Sequence, residues 1–172
     1  MQNIDKKGQA EIYQILDELN IDYKYYESPK DFDTEDDQNF WKRCGATRCK
    51  NLFLRNHKGN KHFLIIAPFY EKVSIYNLEQ HFKKGKISFA SDVRLEKHLA
   101  LKAGAVSLFG LINDKIQHVE VFLDERLRKS KTLSFLANIK GVMITLSFDS
   151  TIKLINHFGN TYHFFDFEED IE

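Results

Sequence analysis

Proline and cysteine are scarce, two of each in 172 residues, and there are only eight glycines and one tryptophan. So few chain breakers leave no room for a Pro/Gly-rich linker or a low-complexity tract. Cys44 and Cys49 have no second Cys or His pair at ligand spacing, so they form no zinc motif. Their separation would also make an unusual disulfide. No apolar run approaches the roughly 20 residues that cross a bilayer, and Met1 to Lys7 lacks the apolar core of a signal peptide. These absences argue against a membrane partner and predict a cytoplasmic protein with reduced thiols.

What is present suits one compact domain spanning 1–172. Hydrophobic residues make up 42% of the chain, and fifteen Phe with seven Tyr supply bulk for a core. Formal net charge is zero, with 25 basic and 25 acidic residues, so the total carries no information about a polyanionic partner. The distribution is more telling. No Asp or Glu occurs from Gln38 to Tyr70, whereas Lys42, Arg43, Arg48, Lys50, Arg55, Lys58 and Lys61 all fall there. Acid gathers at Glu27 to Asp37 and in a tail from Asp166 to Glu172. A neutral chain patterned in this way can present one basic face, although solvated strand and turn residues would give the same pattern.

Ile12, Ile15, Leu16 and Leu19 recur at helical spacing within Lys6 to Asn20, predicting an opening helix. Ile21 to Tyr26 reads as a short strand, Ser28 to Asp31 as a turn, and Thr34 as the cap of a helix through Lys42. Asn51 to Arg55 and His62 to Ala67 are apolar runs joined through Gly59, which predicts a β-hairpin. Leu78 to Phe82 reads as helix, Ile87 to Ala90 as extended, and Ser91 as the cap of a helix carrying Leu95 and Leu99. Gly104 to Gly110 reads as a loop. His118 to Leu123, Thr132 to Leu136 and Val142 to Phe148 read as strands, and a helix over about Asp149 to His157 closes the domain. The expected class is α/β (α+β), with one mixed, mainly antiparallel sheet flanked by helices.

Two features could carry chemistry. Lys50 stands directly before the strand Asn51 to Arg55, where an ammonium can enter a cleft to meet a phosphate or a carbonyl. An exposed strand-end lysine would look the same. Gly104 and Gly110 bracket Ala105, Val106, Ser107, Leu108 and Phe109, and such a loop lets main-chain groups approach a ligand or merely connects two elements. Its glycine spacing is not that of a dinucleotide or Walker phosphate loop. No Gly-x-Ser-x-Gly elbow is present. The seven histidines, at 57, 62, 81, 98, 118, 157 and 163, pair with no Asp or Cys at a useful spacing and are read as surface or capping residues.

Beyond single motifs, the run Cys49 to His62 resembles the signature strand–turn–strand of the prolyl-tRNA editing (YbaK/ProX-type) family of free-standing aminoacyl-tRNA deacylases. Lys86 to Ser91 with Arg94-Leu95-Glu96 is similar to that family's next block, and Gly104 to Asp114 to its substrate-loop block, in the same order. The likeness runs from about Asp17 to Asn156. It implies hydrolysis of a mischarged aminoacyl ester, foremost Ala-tRNA(Pro), in trans beside prolyl-tRNA synthetase. The implied catalytic residue is Lys50, meeting the terminal adenosine end of the tRNA. The implied substrate-binding loop is Gly104, Ala105, Val106, Ser107, Phe109 and Gly110. No metal, cofactor, covalent intermediate or DNA partner is implied.

Two blocks depart from the family pattern. Leu108 stands where the family carries Pro, and Leu136 to Val142 replaces its His-Pro-x-x-Asn-Thr-Ala. A tRNA- or synthetase-binding regulatory module without catalysis is therefore the alternative reading, and a sensor of a free amino acid a third. The acid-free stretch predicts a basic tRNA surface next to the pocket mouth, with Arg48, Arg55, Lys58 and Lys61 on phosphates.

Overall fold

The computed structural model describes residues 6–28, 35–83 and 85–168. The expected Thr34 cap, most of the turn after Ser28 and the end of the acidic tail lie outside these residues.

Helices α1 (Ala10–Glu18) and α2 (Glu35–Cys44) flank strand β1 (Tyr23–Glu27) in the chain. The hairpin follows as β2 (Thr47–Asn56) and β3 (His62–Pro68), with Gly59 at φ +72° in the turn. Next come α3 (Ile75–Phe82), β4 (Ile87–Phe89) and α4 (Asp92–Leu99). Ser91 caps α4 as expected, its Oγ accepting from the Arg94 N–H at 3.3 Å. The second half of the chain is β5 (Glu120–Asp124), β6 (Thr132–Leu136), β7 (Val142–Ser147), α5 (Phe148–Phe158) and β8 (Tyr162–Phe165).

All eight strands form one sheet in the order β1-β7-β6-β2-β3-β5-β8, with β4 pairing off this path onto β2. Pairing is antiparallel in β1/β7, β2/β3, β2/β4 and β6/β7. It is parallel in β2/β6, β3/β5 and β5/β8. The mixed, mainly antiparallel α/β domain expected from the sequence is the fold observed.

Strand β3 shows why its apolar run is unbroken. Successive side chains point to opposite faces. Leu64 and Ile66 therefore enter the larger core with Ile12 and Leu16 of α1, Leu95 and Leu99 of α4, and Leu154 and Ile155 of α5. Phe63 and Ile65 enter a second core with Leu78 of α3, Phe122 and Phe167. Helices thus cover both faces, and a central strand here has no polar side to show.

Two expectations are corrected. The chain does not close on a helix, because β8 follows α5 and pairs in parallel with β5 from Val121↔Tyr162 to Asp124↔Phe165. Four residues are too few to display an alternation. The loop at Gly104 is regular in its second half, where Leu108–Asn113 forms a 3-10 helix capped by Ser107.

Leu64 is fully buried between helices and strands. Leu64→Ala is expected to destabilise the protein by about 2–5 kcal/mol through lost burial and an unfilled cavity. Chemical denaturation would read this as a lower midpoint at unchanged slope; an unchanged midpoint would remove β3 from the centre of the core.

Candidate active site

The parallel contact between β2 and β6 is only two residues long, Thr47↔Leu133 and Arg48↔Ser134. Side chains pin it: Ser134 Oγ donates to the Thr47 carbonyl at 3.1 Å, and Thr47 Oγ1 donates to Ser130 Oγ at 2.7 Å. Beyond that bridge the strands part, and a cavity of about 420 Å³ opens between Cys49, Lys50 and Asn51 on one side and Ser134 and Leu136 on the other. This volume suits a small-molecule-sized group. The β6–β7 turn adds Lys140 and Gly141, and Arg48, Trp41 and Phe69 line the cavity as one cluster. The Arg48 guanidinium lies 3.6 Å from the Phe69 ring centroid and 4.8 Å from that of Trp41, a stacked cation–π arrangement.

Lys50 is held by the loop after β3. Its Nζ donates to the Glu71 carbonyl. That loop is tied in turn by Arg126, which donates through Nη1 to the Glu71 carboxylate at 3.2 Å and through Nη2 to the Lys72 carbonyl at 2.8 Å. The anchor is Asp124, a buried carboxylate at the end of β5 that receives Nη2 at 2.7 Å and Nε at 3.0 Å. Burial lowers the Lys50 pKa from its ordinary value, and Arg126 adds to this, with Asp124 and Glu71 opposing.

Two residues that line the cavity each carry a buried polar atom with no protein partner among the described residues, the Trp41 Nε1 donor and the Asn51 Oδ1 acceptor. Cys49 also faces the cavity, but burial pushes its thiol up to about 12. It is therefore not a nucleophile at neutral pH. Among the described residues lining the cavity there is no carboxylate and no imidazole.

The predicted substrate loop divides. Gly104 and Val106 line the cavity. Ala105, Ser107, Phe109 and Gly110 are buried, as is Leu108, so as side chains they belong to the core. The Ser107 hydroxyl donates to the Leu136 carbonyl at 2.7 Å and accepts from the Phe109 N–H at 3.2 Å. Phe109 packs edge-on against Phe135, with centroids 6.1 Å apart. A Cβ at Gly110 would stand 2.6 Å from Leu101 Cδ1. Gly104 sits at φ +84°, a conformation that L side chains rarely adopt, and a Cβ there would also displace the flexible end of Lys140, whose Cε lies 2.3 Å from that position.

The predicted basic surface divides as well. Arg48 lines the cavity, but Arg55 pairs with His62 at the far end of β2, and Lys58 and Lys61 are exposed in the turn beyond it. Arg55 stands five positions along an extended strand from Lys50, about 17 Å away. The pocket mouth therefore does not carry Arg55, Lys58 and Lys61, because residues close in a strand's sequence are spread along its length.

The sequence pattern of the family described as the aminoacyl-tRNA editing domain matches residues 42–154, which include β2, the cavity loop and β6. The chain belongs to the aminoacyl-tRNA editing family. Its sequence is also 33% identical over 159 residues to the prolyl-tRNA editing protein ProX of Acetoanaerobium sticklandii, covering 92% of this chain and 97% of that protein. Among solved structures, a protein provisionally described as a trans-editing enzyme for prolyl tRNA synthetase superposes with a TM-score of 0.68 at 14% identity, over 92% of this chain and 94% of that one. A hypothetical protein superposes with a TM-score of 0.65 at 12% identity, over 88% and 95%. At such identities these two structures speak for the editing-domain fold alone.

Sequence reasoning missed Trp41, Phe69 and Asn51 as cavity residues, whereas Lys140 stands in the stretch that replaces the family's pocket pattern. Asn51 follows Lys50 directly, and the chain's single Trp sits on a short helix; neither position announces a pocket.

Arg126→Ala should act at a distance. It leaves the Asp124 carboxylate buried without its guanidinium, at a cost of about 3–5 kcal/mol, and frees the loop whose carbonyl holds Lys50. Denaturation midpoints and ligand titrations of Arg126→Ala beside Arg126→Lys would read both effects. Unchanged stability in Arg126→Ala would show that the ion pair does not fasten this loop.

Proposed function

We propose that this editing-family protein is a trans-acting aminoacyl-tRNA deacylase that removes a small mischarged amino acid, with Ala-tRNA(Pro) as its leading substrate. The observation that carries this reading is the Lys50 ammonium, fixed by a main-chain carbonyl at the rim of the cavity. Lys50 meets the terminal adenosine end of the tRNA, and the main chain at Gly104 and Val106 cradles the aminoacyl group.

In the reaction, water adds to the ester carbonyl and the bond to the ribose oxygen breaks, releasing the free amino acid and the tRNA 3′-terminal hydroxyl. The water's proton must reach that leaving oxygen. With no carboxylate or imidazole among the described cavity residues, the neighbouring ribose hydroxyl of the substrate is the group placed to relay it. The need for such an activity is physical: a synthetase pocket built for Pro rejects a residue smaller by a methylene or two by only about 1–3 kcal/mol. Prolyl-tRNA synthetase, named for the similar structure and the source of such errors, is the proposed functional partner, and the cytoplasm the proposed compartment.

A second reading, a tRNA- or synthetase-binding module without turnover, is favoured by Leu136 and Lys140-Gly141 in the cavity lining, where the family pattern carries His and Asn-Thr.

Deacylation of labelled Ala-tRNA(Pro) separates the two. Wild type should outpace buffer, and Lys50→Ala should lose about 10²–10³-fold in kcat/KM if the ammonium stabilises developing charge. Wild type no faster than buffer across several small aminoacyl groups, yet still binding tRNA, would establish the binding module instead.

The acceptor stem is proposed to pass along the hairpin, with Arg55, Lys58 and Lys61 on phosphates and Arg48 near the 3′ end. Lys58→Ala/Lys61→Ala should then weaken different tRNAs about equally and lower the salt slope of binding by roughly one per lost contact. Unchanged affinity and slope would put the RNA on another face.

A further inference from the structure

Three histidines that the sequence reading scatters over the surface meet in the folded chain. His62 opens β3, His98 lies in the last turn of α4, and His118 leads into β5. One ring nitrogen from each lies within 4.8 Å of the other two. His62 Nδ1 is 2.8 Å from His118 Nε2, and the His98 and His118 rings stack with centroids 4.5 Å apart. His62 and His98 are closer still, at 4.1 Å between centroids. His62 is buried and stacked on Phe53, whereas His98 and His118 remain partly open to solvent.

We propose that His62, His98 and His118 form a binding site for a divalent transition-metal ion of the zinc class, separate from the editing cavity. Imidazole nitrogen is a favoured ligand for zinc, nickel and copper, and three protein ligands with a fourth position open to water form a common zinc shell. At zinc–nitrogen distances of 2.0–2.1 Å, tetrahedral ligands lie about 3.3 Å apart. The closest pair is slightly nearer than this and no spacing exceeds 4.8 Å, so binding requires the stacked, solvent-facing rings of His98 and His118 to turn until their in-plane lone pairs converge on the ion. Burial, together with the neighbouring histidines, Arg94 and Lys97, lowers the His62 pKa to about 4, so the ring is uncharged at neutral pH, with both nitrogens hydrogen-bonded until an ion displaces one contact. Burial lowers the His98 pKa as well.

Two neighbours bear on the ion. Arg94 Nη1 lies 3.2 Å from His62 Nε2 and donates to the Gly59 carbonyl at 2.8 Å. In the metal-free chain, His62 Nε2 therefore accepts from Arg94 while Nδ1–H donates to His118. Metal on Nδ1 moves that proton to Nε2, and Arg94 must turn off the ring while keeping Gly59. In the other direction, the buried Asp114 carboxylate accepts from the His118 and Val119 N–H groups and supplies nearby negative charge. Because Arg55 faces His62 across the hairpin, the site lies about 17 Å of strand from Lys50. The ion's role is thus to clamp the hairpin, α4 and the approach to β5, not to act on the ester.

The test is calorimetric titration of ZnCl2, then NiCl2, into tag-free, chelator-stripped full-length protein. The expected result is about one equivalent of zinc bound with a Kd below about 10 µM. Binding should weaken about 10–100-fold or more in His98→Ala and in His118→Ala, and persist in Cys44→Ser/Cys49→Ser. Arg94→Ala gives an independent readout that leaves every ligand in place: removing the opposing charge should tighten zinc binding several-fold. Wild type that takes up no zinc, binding that survives in His98→Ala/His118→Ala, or Arg94→Ala with unchanged or weaker affinity would overturn the proposal. The three rings would then be a metal-free hydrogen-bonded chain.

Discussion

The two-residue bridge between β2 and β6 is the constraint on which the rest depends. It joins the β1-β7-β6 half of the sheet to the β2-β3-β5-β8 half, with only Thr47↔Leu133 and Arg48↔Ser134 in register. Had the pairing continued, the strands would have consumed the polar main chain that now borders the cavity. Had it been absent, no fixed distance would separate Lys50 from the β6–β7 turn. The serine and threonine hydroxyls that pin the bridge therefore set the width of the cavity as much as the stability of the sheet.

Most of the fold could be read from periodicity. The β2–β3 hairpin, the Ser91 cap and the Leu95/Leu99 face of α4 all stand where apolar spacing and turn chemistry put them. What failed was short or tertiary. β8 is four residues long, and its place is set by the open edge of β5. The site was legible only in part. Lys50, Gly104 and Val106 reach the cavity, but Ser107, Phe109 and Gly110 serve the core because a capped 3-10 turn directs them inward. The histidines escaped notice because strand, helix and loop bring together positions 62, 98 and 118, which no spacing rule connects.

Charge illustrates the same limit. A net charge of zero conceals a cavity whose described ionisable side chains, apart from the neutral Cys49 thiol, are the cations Arg48, Lys50 and Lys140. The compensating carboxylates Asp124 and Glu71 stand behind Lys50 on Arg126, outside the lining. The cavity lining is thus basic among the described residues while the protein as a whole stays balanced.

The acceptor that fixes Lys50 is a carbonyl and not a carboxylate. A carboxylate would have held the side chain by cancelling it, leaving a dipole where a monopole is useful. A carbonyl fixes direction and leaves the full unit charge facing outward. The two jobs then answer to different conditions. Added salt screens the pull of the ammonium on an incoming phosphate, while the main-chain contact that aims it has no counter-charge for salt to replace. The lysine should thus stay aimed at ionic strengths where it no longer attracts.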